Sequence, residues 1–274
     1  MALRLWAFAF FLCAFSAASA KQPALLSTPA LQVDASFAIR TYTDKEATAN
    51  HLIRPLNASN SILYEQQFGG GGAAVGVLLG PLGVAANIAA IKKRTDTEAR
   101  ALSGKIPIDP VALLAPMLRE AGLSRADEGG TGTLNIKPYM TLVSAGDGNV
   151  WVGTGIDVSD NAARPWTGKY LYQLPSRWSH SELAAGLSAE RQQALEAQVS
   201  AGLREALRLY VDDASGKLTG TERVNFAAPF FSPRFKLQFL GMVLPTDGDR
   251  KLFRTTFGIV SFPADAAEVT KRLN

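Results

Sequence analysis

The chain has 274 residues, 28 Lys and Arg against 24 Asp and Glu, a formal net charge of +4, and 47% hydrophobic side chains. That apolar share excludes wholesale disorder, and the single cysteine excludes a disulfide scaffold or a cysteine-based metal site. Two histidines argue against a multi-histidine metal centre, and so small a charge makes no electrostatic case for nucleic acid. The length suits one large domain or two modest ones with a real core.

Residues 1–20 carry an export pattern. Arg4 supplies a positive start, an apolar run follows, and Ala18-Ser19-Ala20 matches a small-residue cleavage site. Cleavage would remove Cys13, the only thiol, and a cysteine-free exported chain suits an oxidising envelope compartment. The expected location is the periplasm or the outer membrane. Residues 21–216 are then expected to form an α+β domain and residues 217–274 a β-rich C-terminal module.

Between residues 31 and 40, Leu31, Val33, Phe37 and Ile39 alternate with polar or small residues, which predicts a strand. Residues 61–68 predict another. Thr95 and Glu98 have capping-box spacing, so a helix start is expected at Thr95. Asp109 followed by Pro110 predicts a second start, with Leu113, Leu114, Met117 and Leu118 as its apolar stripe, a kink at Pro116 and an end at Gly122.

Residues 134–142 and 150–158 alternate around the turn Gly146-Asp147-Gly148-Asn149, which predicts a hairpin with Trp151 as the exception to its polar face. Residues 169–174 predict a third strand. Ser179 and Glu182 form another capping box, and Leu195, Val199, Leu203, Leu207 and Tyr210 mark the strongest amphipathic helix. In the last stretch, residues 234–244 and 251–262 predict a long hairpin around residues 245–250, with residues 219–231 as an edge strand. The expected fold is α+β: a mixed or antiparallel sheet packed by two to three helices, plus the small C-terminal β module.

Sequence signatures for catalysis are sparse. There is no nucleophile-elbow, zinc-protease or phosphate-loop motif. His180 is the candidate general base, with Asp212 or Asp213 to orient it, and a periplasmic hydrolase is the enzymatic alternative. No metal and no cofactor is expected. Gly69 to Ala74 has the form G-x-G-x-x-A, but Glu65-Gln66-Gln67 precede it where a dinucleotide fold needs an apolar strand. A second alternative is a glycan-binding module, in which Trp166, Tyr170, Tyr172 and Trp178 would stack on sugar rings.

Residues 69–91 are physically unusual: 7 Gly, 6 Ala and no charge in 23 positions, followed by Lys92-Lys93-Arg94. Gly72, Gly76 and Gly80 recur every four residues. On a helix they would form a smooth strip, with Val75 and Leu79 beside it, against which another backbone can pack closely. Each interior glycine costs about 0.8–1 kcal/mol of helix propensity relative to alanine, so such a stretch needs a neighbour to stabilise it. Three readings stay open: a tightly packed loop and helix in the protein's own core, a membrane-inserting or self-associating element, or a phosphate-cradling loop. A conventional span would place the rest of an exported chain on the cytoplasmic side, which favours peripheral or oligomer-dependent insertion. The stretch resembles the glycine-zipper segments of Gram-negative outer-membrane and periplasmic proteins. That resemblance implies an envelope role through self-association, a protein partner or peripheral membrane contact, and no reaction.

Overall fold

A computed structural model of the chain describes residues 36–43, 45–46, 53–57, 61–66, 89–125, 134–160, 167–233, 237–246, 248–256 and 258–273. In chain order the first half holds β1 (Ser36–Ile39), β2 (Ile53–Asn57), β3 (Ile62–Glu65), helix α1 (89–102), α2 (Pro110–Glu120) and β4 (Ser124–Arg125). Then come β5 (Leu134–Ser144), β6 (Asn149–Asp160), β7 (Thr167–Ser179), α3 (His180–Ala185) and α4 (Ala189–Ala214). The chain closes with β8 (Glu222–Ala227), β9 (Phe239–Leu244), β10 (Arg250–Thr255), β11 (Gly258–Pro263) and β12 (Glu268–Leu273). The fold is α+β, built on a large mixed sheet.

The centre of the sheet is the expected hairpin. β5 and β6 pair antiparallel along their whole length, from Leu134 opposite Asp160 to Ser144 opposite Val150. Gly146 and Gly148 take φ of 83° and 86° in the turn, which an L side chain rarely adopts, and Asp147 accepts from the Asn149 amide at 3.0 Å. β7 adds antiparallel to β6, and the strand order runs β12-β8-β9-β10-β11-β7-β6-β5. The other edge of β5 is shared: β1 pairs parallel with Leu134–Ile136, and β3 pairs parallel with Met140–Val143.

Both faces of this centre are buried. On the first, Ile136, Met140, Leu142, Val152, Ile156 and Val158 meet Leu195, Val199, Leu203 and Leu207 of α4, and Leu114, Met117 and Leu118 of α2. The apolar stripe of α4 is thus the one its sequence predicts. Gly202 lets α4 approach closely, since a Cβ there would lie inside contact distance of Thr154 on β6. On the second face, Tyr139, Val143, Trp151 and Leu171 pack with Phe226, Phe230, Phe253 and Phe262. Trp151 breaks the polar alternation because the face it occupies is also covered. Stacked Phe226 and Phe253 rings, 4.1 Å apart, hold the C-terminal strands together.

Caps follow the sequence at α2, where Asp109 accepts from the Val111 and Ala112 amides and Gly122 (φ 70°) follows the end, and at α3, where Ser179 accepts from the Glu182 amide. Three expectations are corrected. Thr95 is not a helix start: α1 runs through it, and its buried hydroxyl lies 2.8 Å from the Ile91 carbonyl and 2.9 Å from the Gln66 side chain. A helix-interior threonine serves its own preceding turn in this way. Residues 251–262 are two strands, because Gly258, at φ 129°, begins β11. Finally, β8 is not at the edge: β12, which carries Glu268, Lys271 and Arg272, lies outside it. An edge strand bearing charges blunts edge-to-edge pairing.

Candidate functional site

The end of the Gly/Ala-rich stretch is fixed firmly to the sheet. Its last three residues, 89–91, lie in α1, with Ala89 and Ala90 exposed and Ile91 buried. α1 is bolted to the β2–β3 hairpin by polar contacts on one side: Arg54 with Asp96, Tyr64 with Glu98, Gln66 with Thr95, and Ser103 with the Leu56 carbonyl at 3.0 Å. Alternation along the hairpin turns Arg54, Leu56, Tyr64 and Gln66 toward α1. The outward face of α1 carries Lys93 and Arg100, flanked by Lys92 and Arg94. Gln66, just before the stretch, and Thr95, just after it, are both buried and touch each other. Positions Gly72, Val75, Gly76, Leu79 and Gly80 lie outside the described residues.

On the opposite side of the same hairpin is a cavity of about 240 Å³. Ile53, Leu63, Tyr139, Thr141 and Leu171 line it from the strands, and Phe230 and Phe231 from the segment after β8. Tyr42, Glu46, Glu65 and Lys169 complete the lining. Gly153 and Gly155, two positions apart on β6 and so on one face, make room for two of the lining rings. A Cβ on Gly153 would fall 2.6 Å from Phe230, and one on Gly155 would fall 2.7 Å from the Tyr139 hydroxyl. The bare backbone of β6 is what lets the two rings lie down on the sheet.

The polar groups around the cavity are mutually engaged. Tyr42 donates to Asp157, Lys169 pairs with the same carboxylate, and Lys137 pairs with Glu46. Thr43 and Glu46 form a reciprocal capping box, the Thr43 amide donating to Glu46 at 2.9 Å and the Glu46 amide to the Thr43 hydroxyl at 3.2 Å. The Lys137 bond, followed by the Thr43 amide, holds the Glu46 carboxyl down at about 2. Burial, then the charge of Asp157, raises both phenols, Tyr42 and Tyr139, well above their ordinary value. Both stay neutral donors at physiological pH. The other oxygen of Asp157, Oδ1, is buried with no hydrogen-bond partner among the described residues.

The residues proposed from sequence land elsewhere. His180 sits at the start of α3 with Nε2 buried and without a hydrogen-bond partner among the described residues, its ring edge-on to Tyr64 at 6.1 Å. Asp212 pairs with Arg208 and Lys217, and Asp213 with Tyr170 and Arg254, so neither orients His180. In the aromatic patch, Tyr170 and Trp178 are core residues of the first sheet face and are closed to sugar stacking. Tyr172 is half-buried with the Arg250 guanidinium 3.6 Å above its ring, and Arg191 covers Trp178 at 4.1 Å. Trp166 lies outside the described residues. The cavity was missed from sequence because its groups come from five separate segments. The signals that bear on it are the Gly153/Gly155 spacing and the Thr43/Glu46 capping box. Among the described residues no group of three or more His, Cys, Asp or Glu is placed to hold a metal ion, and no helix is long and apolar enough to cross a membrane.

No family model matches the chain, and neither the curated proteins nor the solved structures contain a match.

Proposed function

We propose that this chain is an exported, non-catalytic envelope protein, periplasmic or outer-membrane-associated, that acts by contact through residues 69–91. The contact is self-association, an envelope protein partner or the membrane surface. In this reading α2 and α4 stiffen one face of the sheet, and residues 217–274 are a stabilising unit locked on by Arg250 and Arg254.

One observation carries the reading. β3 lies before the Gly/Ala-rich stretch and β5 after it, yet the two are hydrogen-bonded neighbours, Ile62 opposite Met140 and Glu65 opposite Val143. Both flanks therefore belong to one folded body on one side of any membrane. The pairing argues against a single crossing that separates them and supports contact made from one side. The exposed Lys92, Lys93 and Arg94 beside the stretch suit a membrane-surface location, because basic groups gain about 1 kcal/mol each near anionic headgroups.

Gly76→Leu and Gly80→Leu are the test. A leucine at either position fills the strip that close backbone packing requires. Each variant is expected to lose self-association in size-exclusion chromatography or co-fractionation with membranes, with the melting temperature of the body unchanged. Elution and fractionation identical to wild type in both variants would overturn the reading.

A further inference from the structure

The cavity on the second sheet face lies across the β2–β3 hairpin from α1, and it has a chemistry of its own. Four aromatic rings border it, Tyr42, Tyr139, Phe230 and Phe231, with Ile53 and Leu171 among its aliphatic walls. The rings meet at steep angles, Tyr42 against Tyr139 at 88° and Phe230 against Phe231 at 69°, so ring faces as well as ring edges are presented. Another aromatic ring packs well against such walls, edge to face or offset, and gains beyond its buried area by doing so. The volume of about 240 Å³ suits a small ring system and is too tight for a folded segment.

Among the described residues the charges at the rim already answer one another. Lys137 pairs with Glu46, Lys169 pairs with Asp157, and Glu65 is engaged as well. A charged ligand would give up its water and meet only groups committed elsewhere, and burying a charge without a partner costs far more than burying a neutral ring. The polar groups left to a ligand are neutral. Tyr139 and Thr141 stand two positions apart on β5, and so on one face, and both line the cavity. Neither side-chain hydroxyl has a hydrogen-bond partner among the described residues. A hydroxyl can both donate and accept, so the two together can hold one oxygen of a bound molecule. Glu46 and Lys169 are exposed, so the cavity is reached from their side.

We propose that this cavity binds a small uncharged aromatic molecule bearing one hydrogen-bonding oxygen, its rings against Tyr42, Phe230 and Phe231 and its oxygen at the hydroxyls of Tyr139 and Thr141. Apolar walls with a few placed polar groups are the usual composition of a small-molecule site, the walls giving affinity and the hydroxyls orientation. The site is separate from residues 69–91 and stands whether or not those residues act by contact.

The test is calorimetric titration of the full chain at neutral pH with 2-naphthol, naphthalene, 2-naphthoate and 2-naphthylmethylammonium, which share one ring system and differ in polarity and charge. Naphthol is expected to bind saturably, with naphthalene about fivefold weaker, the size of one net hydrogen bond. Both ions are expected to bind at least about tenfold more weakly than naphthol. The double variant Tyr139→Phe/Thr141→Val should bring naphthol to the affinity of naphthalene, and Leu63→Phe, which puts a larger side chain into the lining, should weaken both compounds by about tenfold or more. Any of four results would overturn the proposal: no saturable naphthol binding, either ion binding as tightly as naphthol, naphthalene equal to naphthol in the wild type, or naphthol affinity unmoved by both substitutions. The comparison of the four compounds on the wild-type chain decides the matter even where a variant fails to fold.

Discussion

Replacing Asp213 with alanine is expected to cost the fold about 3–5 kcal/mol, the penalty for leaving a buried charge without its partner. Asp213, near the C-terminal end of α4, is 4% exposed, and Arg254 on β10, with which it pairs, is 13% exposed. The same carboxylate accepts the Tyr170 hydroxyl at 2.9 Å, and Arg254 also donates to the Leu218 carbonyl at 3.0 Å. The loss therefore removes the carboxylate that both the guanidinium and the phenol bond, at the joint between helix, central sheet and C-terminal strands. For a chain of this size the melting temperature should fall by roughly 6–20 °C. The double variant Asp213→Leu/Arg254→Met should recover most of that loss, because removing both charges removes the desolvation cost with the attraction. Thermal melts of the two variants give the answer. A single variant within about 1 kcal/mol of wild type, on the scale of an exposed pair, would show the pair to be solvated.

A second large effect is expected from Gly258→Ala, about 2–6 kcal/mol when positive-φ strain is combined with overpacking. Gly258 sits at φ 129° where β11 begins, and a Cβ there would collide with the backbone of Lys169 on β7. That backbone cannot yield, because β7 is held between β6 and β11, whose parallel pairing runs from Ile259 opposite Tyr170 to Ser261 opposite Tyr172. The alanine must lift β11 from β7. Urea unfolding should show the loss, and amide exchange at residues 259–261 should quicken before that of β5 and β6. Exchange at these residues no faster than in wild type would mean that the joint tolerates the methyl group.

The elements legible in the sequence are those fixed by neighbours in sequence. Asp109-Pro110 determines the start of α2 through local hydrogen bonds, and the stripe from Leu195 to Tyr210 fixes the buried side of α4 through helical periodicity alone. The 134–158 hairpin was legible because its turn glycines and alternation agree. Thr95 misled because its spacing fits a cap, while its actual partner, Gln66, is 29 residues away. β12 was not anticipated: Glu268, Lys271 and Arg272 look solvated, and they are, but on a strand that pairs through its backbone with β8. The cavity is the least local feature of all. Tyr42 reaches Asp157 across 115 positions, and no window of sequence contains both. Trp178 was proposed as a stacking platform from its cationic neighbours, yet burial on the α4 side gives its ring to the core and one of those cations, Arg191, to its cover.

The measurement that bears most directly on a contact function for residues 69–91 is replacement of residues 69–88 by a glycine–serine linker of equal length. Melting temperature and flotation on vesicles of phosphatidylethanolamine and phosphatidylglycerol would be followed together, with size-exclusion elution alongside. The expected result is an unchanged melting temperature with loss of flotation or of the self-associated species, because β3, β5 and the Gln66–Thr95 contact hold the body closed on either side of the exchanged stretch. A lowered melting temperature would place the stretch in the protein's own core, and flotation and elution identical to wild type would remove it from any contact role.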